Sequence, residues 1–175
     1  VDIDGVISNY DFTDICKRHF GMPVPNECVT QYSLQESLGV PPALVHKMFL
    51  KEVLAPPNLI DNAVESLTKL LSLGYNILIL SNRLHFVSFT ELEDWLNTYK
   101  IPYSEVITTK TLPKHALAMV DDSPTKLLTV DEDMPVNKLI LFRQPWNEHC
   151  HDLLNKFTWV ENWTQVLEEI NGGSS

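Results

Sequence analysis

Short apolar runs alternate along this chain with longer stretches in which apolar residues recur every three or four positions. The short runs are typical of strands buried in a parallel sheet. They predict strands at residues 1–3, 76–80, 105–108, 117–120, 138–142 and 157–160.

The longer stretches predict helices between these strands. An apolar stripe at helical spacing predicts a helix over 59–73, and Gly74 stands where a C-terminal cap is expected. Ser123-Pro124 is typical of an N-cap followed by a first-turn proline, and Asn162 predicts the cap of a last helix that continues to Ile170. Strands that alternate with helices predict an α/β fold, with a doubly wound parallel sheet covered by helices.

The stretch between the first two predicted strands is too long for an ordinary connection. It contains helical patterns over 11–20 and 42–54, joined by a link that includes Pro23 and Pro25. We therefore expect a small helical cap, residues 9–57, inserted after the first strand. The catalytic core would comprise residues 1–8 and 58–171, followed by a flexible tail at 172–175.

Composition narrows the class of protein further. The 175 residues carry a formal net charge of −10, which opposes binding to duplex nucleic acid. The apolar runs are too short to span a bilayer. The three cysteines form no repeated spacing, which favours a reducing, cytoplasmic location over a disulfide framework. The chain begins without Met inside a predicted strand, so we expect residues to precede it. The sequence leaves the oligomeric state open, a homodimer included.

Two aspartates separated by one residue follow the first apolar positions. In an extended chain Asp2 and Asp4 would point to the same side. Such close carboxylates repel each other unless a cation or a shared proton compensates them. One could attack as a nucleophile, the other could transfer a proton, and both could hold a metal. The alternative is a surface turn that happens to carry this spacing.

Polar residues also follow two later strands, at the edge where open α/β sheets bind ligands. Ser81 and Asn82 could bind a phosphate oxygen or simply cap the next helix. Asp121 and Asp122 are typical of a Mg²⁺ site, although an acidic helix N-terminus explains one of them. Between these sites, Lys110 or Lys114 could bring a positive charge to a phosphate.

The order of these motifs resembles the haloacid dehalogenase superfamily of phosphotransferases. The four ordered motifs match Asp2/Asp4, Ser81, Lys110 or Lys114, and Asp121/Asp122. The resemblance extends from residue 1 to about 170. Within the superfamily the chain looks most like the 5′(3′)-deoxyribonucleotidase branch, that is, the cytosolic type C 5′-nucleotidases. The Asp-Asp motif, the modest helical insertion and the Pro145-Trp146-Asn147 turn carry this closer resemblance.

The resemblance implies an aspartyl-phosphate mechanism that depends on Mg²⁺. Asp2 would attack phosphorus, and Asp4 would protonate the leaving alkoxide and then activate water. Mg²⁺ would lie between Asp2, the backbone carbonyl of Asp4 and an acid of the Asp121/Asp122 pair, with Asp122 as the closer ligand. Ser81, Asn82 and a lysine would bind the phosphate oxygens; Lys110 best matches the Lys-Thr dipeptide of the branch.

The same resemblance implies a nucleoside monophosphate as substrate. Tyr10 matches a position where the branch places an aromatic ring against the nucleobase, and Tyr32 is a second candidate contact, followed by Phe12 and Phe49. Two alternatives remain. One is a phosphatase of the same superfamily for a sugar phosphate or a nucleic-acid end, and the other is a non-catalytic module that binds Mg²⁺ and accepts phosphate.

Two other features have ordinary explanations. The alternating histidines and cysteine of His149-Cys150-His151 lack the separated ligand pairs of a zinc site, so we assign them to a loop or a helix start. The tryptophans are assigned to packing rather than to base stacking. They are Trp95, Trp146, Trp159 and Trp163.

Overall fold

The computed structural model describes residues 1–24, 39–148 and 155–172, and these form an α/β fold, as predicted. The helices are α1 (Phe12–Phe20), α2 (Pro42–Glu52), α3 (Ala63–Ser72), α4 (Phe89–Thr98), α5 (Pro124–Asp133) and α6 (Trp163–Gly172). The strands are β1 (Ser8–Asn9), β2 (Asn58–Leu59), β3 (Leu78–Leu80), β4 (Glu105–Ile107), β5 (Ala116–Asp121), β6 (Val136–Phe142) and β7 (Thr158–Val160). A short 3₁₀ helix spans Asn82–His85.

Residues 1–3 join two groups of parallel strands into one layer. Strand β3 pairs with β4, and β5 pairs with β6, which in turn pairs with β7. The Leu80 N–H donates to the Val1 carbonyl at 3.0 Å, and the Asp2 N–H donates to the Val120 carbonyl at 3.0 Å. The spatial order is therefore β4-β3-(1–3)-β5-β6-β7, and the carboxyl ends of these segments meet at one edge.

Successive residues of each central strand face opposite sides of this sheet. Ile79, Val120 and Ile140 pack in a cluster that includes residues of α3, α4 and α6. Their neighbours Leu80, Met119 and Leu141 pack in a second cluster with α5. Helices thus cover both faces, and the predicted doubly wound architecture is confirmed.

Two predicted helix caps, Asn162 and Ser123, are confirmed, whereas one predicted helix start is wrong. The Asn162 side chain accepts a hydrogen bond from the Gln165 N–H at 3.0 Å, and the Ser123 hydroxyl caps α5 at Lys126. The helix predicted over 59–73 begins only at Ala63, because Asn58–Leu59 pairs antiparallel with Ser8–Asn9. Backbone groups committed to that pairing are not free to start a helix.

The inserted helices pack around an apolar cluster that Trp146 of the turn after β6 also contacts. It contains Phe12 and Ile15 of α1 and Val45 and Met48 of α2. The chain segments that lead into and out of this insertion lie side by side as β1 and β2. The division into a core (1–8 and 58–171), a cap (9–57) and a tail (172–175) stays a prediction. Within the described ranges no helix is long and apolar enough to cross a membrane.

Candidate active site

Three buried carboxylates meet at the carboxyl edge of the sheet. Asp2, Asp121 and Asp122 are each less than a tenth exposed, and each offers an oxygen within 4.8 Å of the others. The backbone hydrogen bond from Asp2 to Val120 sets this proximity, because it aligns residues 1–3 with the end of β5. The sequence prediction that these two motifs lie together therefore agrees with the geometry.

A lysine that the sequence analysis missed lies among these acids. The Lys126 Nζ is 2.9 Å from Asp2 Oδ1 and 3.0 Å from Asp121 Oδ2, and it donates to the Leu80 carbonyl at 2.8 Å. Lys126 is the third residue of α5, so the cap at Ser123 orients it toward the strand ends. A cation in the first turn of a helix is opposed by the helix dipole. A lysine at a position that the helix dipole disfavours was therefore a signal in the sequence that Lys126 has a role other than stabilising the helix.

Burial is the largest single influence on the pKa values of this cluster. It raises the pKa of Asp2 from 3.8 to about 7; Asp121 and Asp4 add to this effect, while Lys126 opposes it. Burial likewise raises the pKa of Asp122, with Asp121 and Asp2 as further causes. Burial lowers the pKa of Lys126, but the charges of Asp2 and Asp121 outweigh that effect and raise it above its usual range. One lysine is therefore insufficient to neutralise the three acids.

The donor set fits a hard divalent cation such as Mg²⁺. Among the described residues, Asp121 Oδ2 is one of two buried side-chain polar atoms without a hydrogen-bond partner. Lys126 lies 3.0 Å from that oxygen as an ion pair, and it is shared with Asp2. Carboxylate oxygens at this spacing, with charge left uncompensated, are the ligands that Mg²⁺ prefers.

The Asp4 carboxylate lies apart from that group of three and is held by other residues. Arg83 donates from Nη2 to Asp4 Oδ1 at 2.7 Å and from Nε to both oxygens at 3.1 Å. The Tyr10 side chain lies beside the same carboxylate. Arg83 is only 4% exposed, stacks on Trp95 and also donates to the carbonyl of Val53, the residue after α2. Asp4 is thus fixed between the core and the insertion.

Gly5 allows the loop that follows residues 1–3 to turn sharply beside the acids. Its φ of +78° is a left-handed conformation, and its N–H donates to the Ser8 carbonyl at 2.8 Å. A Cβ at this position would overlap the Asp122 carboxylate. Glycine is therefore required here both by the backbone conformation and by the close approach of Asp122.

The predicted phosphate-binding residues occupy different environments. Ser81 is buried at the end of β3, where its hydroxyl accepts from the Arg83 N–H at 3.3 Å, so it also acts as a cap. Asn82 is exposed at the start of the 3₁₀ helix. Lys110 and Lys114 are exposed, and neither makes an ion pair with any residue that the structure describes. Their phosphate-binding roles stay predictions.

Tyr10 and the other aromatic candidates of the insertion cluster together. The Tyr10 ring lies 5.7 Å from the rings of Phe12 and Phe49. Burial and then the nearby Asp4 charge raise the pKa of Tyr10 above its usual range. Tyr32 and the His149-Cys150-His151 motif lie outside the described residues.

An apolar cavity of about 310 Å³ lies at the opposite, amino-terminal edge of the sheet, lined among others by Tyr75, Leu78 and Ala116. Its lining includes Val1 and His115 but none of the clustered acids. We therefore place the candidate active site at the acid cluster and not in this cavity.

Comparison with known proteins identifies the family. The family described as "5′ nucleotidase, deoxy (Pyrimidine), cytosolic type C protein" matches residues 1–170 of the chain. The match spans nearly the whole chain, including the three buried aspartates and Lys126. No curated protein matches the chain. The chain belongs to this family of 5′-nucleotidases, which are phosphoric monoester hydrolases of the haloacid dehalogenase type.

Proposed function

We propose that this member of the cytosolic type C 5′-nucleotidase family is a Mg²⁺-dependent phosphatase of nucleoside monophosphates. The single observation that carries the proposal is the buried group Asp2, Asp121 and Asp122, with Lys126 paired to it, at the carboxyl edge of the sheet. A deeply buried acidic group of this kind is costly as structure alone. The family match supplies the reaction class.

The proposed reaction proceeds in two displacements at phosphorus. In the first, an oxygen of Asp2 forms a bond to phosphorus while the ester P–O bond breaks, and Asp4 donates a proton to the leaving alkoxide. In the second, Asp4 takes a proton from water, which attacks the aspartyl phosphate and releases inorganic phosphate and the Asp2 carboxylate. Ser81, predicted to bind phosphate, is buried and directly follows β3 at the carboxyl edge of the sheet.

The cation would be held by Asp2, Asp122, the Asp4 backbone carbonyl and, through direct or water contact, Asp121. When bound, Mg²⁺ supplies positive charge that allows an anionic nucleophile to approach an anionic phosphate. The residues of the chain then orient the phosphate and move the protons.

Lys126 is proposed as the lysine that neutralises the nucleophile and the phosphate. The sequence pattern assigned that role to Lys110, which precedes the Asp121/Asp122 pair. Lys126 comes from the helix that follows the pair, but it contacts Asp2 directly at 2.9 Å. A side chain already held beside the attacking oxygen requires no further rearrangement, and this favours Lys126 over an exposed lysine.

The cap, residues 9–57, is proposed to close over the nucleoside and exclude bulk water during attack. Tyr10 lies at its entry and contacts Asp4. A small cap leaves room for a mononucleotide, whereas a long polymer would have to thread past it. A cytoplasmic location is part of the proposal; the cytosolic type of the family and the buried free thiol of Cys16 support it.

We expect a panel of phosphate esters to identify the substrate class. With Mg²⁺, deoxyribonucleoside and ribonucleoside monophosphates should be hydrolysed with a higher kcat/KM than sugar phosphates or oligonucleotides with a terminal phosphate. Chelation of the metal should abolish turnover of all of them. A best substrate that lacks a base would contradict the nucleotidase proposal and favour a sugar-phosphate phosphatase.

We expect Tyr10→Ala to raise KM for nucleotides far more than KM for a small phosphate ester without a base. The reason is that the ring is predicted to contact the nucleobase, while the phosphoryl chemistry depends on Asp2 and Asp4. Steady-state kinetics on the two substrates measures the difference. The matched variant Tyr10→Phe keeps the ring and removes only the hydroxyl that contacts Asp4. Equal losses on both substrates in Tyr10→Ala would mean that Tyr10 supports Asp4 instead of binding the base.

A further inference from the structure

A turn after β6 reaches into the candidate active site from a distant part of the sequence. It spans residues 144–147, of which Gln144 is 7% exposed and Asn147 is 1% exposed. The turn is closed by the Asn147 N–H, which donates to the Gln144 carbonyl at 3.0 Å, and by the Gln144 N–H, which donates to Asn147 Oδ1 at 2.9 Å. These two hydrogen bonds within the turn therefore fix its backbone conformation.

Two side chains of this turn fix the backbone around the acids. The Asn147 amide donates to the carbonyls of Asp122 and Phe142, at 2.8 Å in each case. The Gln144 amide donates to the Gly5 carbonyl at 2.7 Å and to Asn9 Oδ1 at 3.0 Å. The turn thus contacts both the end of β5 and the loop that contains Gly5.

The third side chain contacts a predicted metal ligand directly. The indole N–H of Trp146 donates to Asp122 Oδ2 at 2.7 Å, a short hydrogen bond to a carboxylate that is 4% exposed. The Phe12 ring packs edge-on against the indole, with centroids 5.8 Å apart. Gly5 lies against the same carboxylate. Asp122 is therefore confined by an oriented donor on one atom and by close packing.

We propose that Trp146 is a positioning residue that holds Asp122 in the orientation needed to bind the divalent cation. The proposal rests on the proposed function insofar as Asp122 is a metal ligand. Because Asp122 Oδ2 accepts the hydrogen bond of the Trp146 indole, the Asp122 carboxylate cannot rotate freely. Its orientation is therefore fixed before a cation binds. Residues that hydrogen-bond to metal ligands commonly change metal affinity by about 10–100-fold when they are replaced.

The chain offers a matched control for this role. Trp159, on β7, is partly buried in the cluster that packs against α5, and its indole N–H has no hydrogen-bond partner among the described residues. Replacing either tryptophan by phenylalanine removes the same atoms. Only Trp146→Phe removes a hydrogen bond to the acid cluster.

The test is titration of the metal-free protein with Mn²⁺, followed by electron paramagnetic resonance, with Mg²⁺ as competitor. We expect Trp146→Phe to weaken Mn²⁺ binding by about 10–100-fold, and Trp159→Phe to bind Mn²⁺ like the wild type. Thermal unfolding of each variant, measured without metal, establishes that the fold is retained. Equal Mn²⁺ affinity in wild type and Trp146→Phe would overturn the proposal.

A second measurement does not depend on a folded variant. In the wild-type protein, the NMR resonance of the Trp146 indole N–H should shift when Mg²⁺ is added, and that of Trp159 should not. An unchanged Trp146 resonance at saturating Mg²⁺ would overturn the proposal. Failure of the wild type to bind any divalent cation would overturn both this inference and the Mg²⁺ dependence. Normal metal binding without nucleotide hydrolysis would contradict only the proposed function.

Discussion

Replacing Asp2 by asparagine is expected to lower kcat for a nucleoside monophosphate by on the order of 10⁴-fold or more, with the fold retained. The amide is nearly the same size as the carboxylate but cannot attack phosphorus as an anion. It also removes one ligand of the proposed cation and the partner of Lys126 at 2.9 Å. Single-turnover hydrolysis measures the loss without interference from product release.

The control for this substitution is Asp133→Asn. Asp133 is exposed at the end of α5 and makes no ion pair with the residues that the structure describes. We expect its activity to equal that of the wild type. Activity of Asp2→Asn within about tenfold of the wild type would contradict an aspartyl-phosphate mechanism at Asp2.

The raised pKa of Asp2 gives an independent readout of the same substitution. Burial raises that pKa from 3.8 to about 7 in the metal-free protein. The native state therefore binds the Asp2 proton more tightly than the unfolded state. This difference adds to the free energy of unfolding at low pH, and the addition is lost as the pH rises from about 4 through about 7. Asp2→Asn removes this ionisation. Its metal-free unfolding temperature should consequently fall less than that of the wild type across the same pH range.

Lys126→Met is expected to lower kcat/KM for nucleotides by about 10²–10³-fold, the usual effect of removing one preorganised group that stabilises transition-state charge. Methionine preserves much of the aliphatic chain and removes the ammonium that contacts Asp2 and Asp121. Lys126→Arg, which keeps the charge with a different geometry, should recover part of the activity. Steady-state kinetics at saturating Mg²⁺ separates this effect from metal binding.

The matched controls are Lys110→Met and Lys114→Met. Both lysines are exposed and lie on the connection between β4 and β5. If Lys126 neutralises the phosphate, both variants should remain within a few-fold of the wild type. Loss of activity in Lys110→Met, with Lys126→Met nearly normal, would restore the assignment based on the family pattern. In that event the connection would have to move toward the substrate.

The α/β architecture could be predicted from the sequence because it depends on local periodicity. Buried parallel strands require apolar runs, amphipathic helices require spaced apolar residues, and both patterns are local. The convergence of Asp2 with Asp121 and Asp122 followed from the same prediction, since the carboxyl ends of neighbouring parallel strands meet at one edge. The helix start at Ala63 was missed because the pairing of Asn58–Leu59 with Ser8–Asn9 is not local.

The sequence by itself thus determined the fold class and the chain segments that carry the acids, while the tertiary structure decided which side chains act on them. Lys126 contacts an aspartate 124 positions away, and Arg83 contacts Asp4 across 79 positions. Trp146 reaches Asp122 only because β6 lies beside β5. A side chain of a given type occurs at many positions, and its position in the sequence does not say which partners it reaches. Packing of the sheet and its helices fixes those distances, and the partners of the acids follow from them.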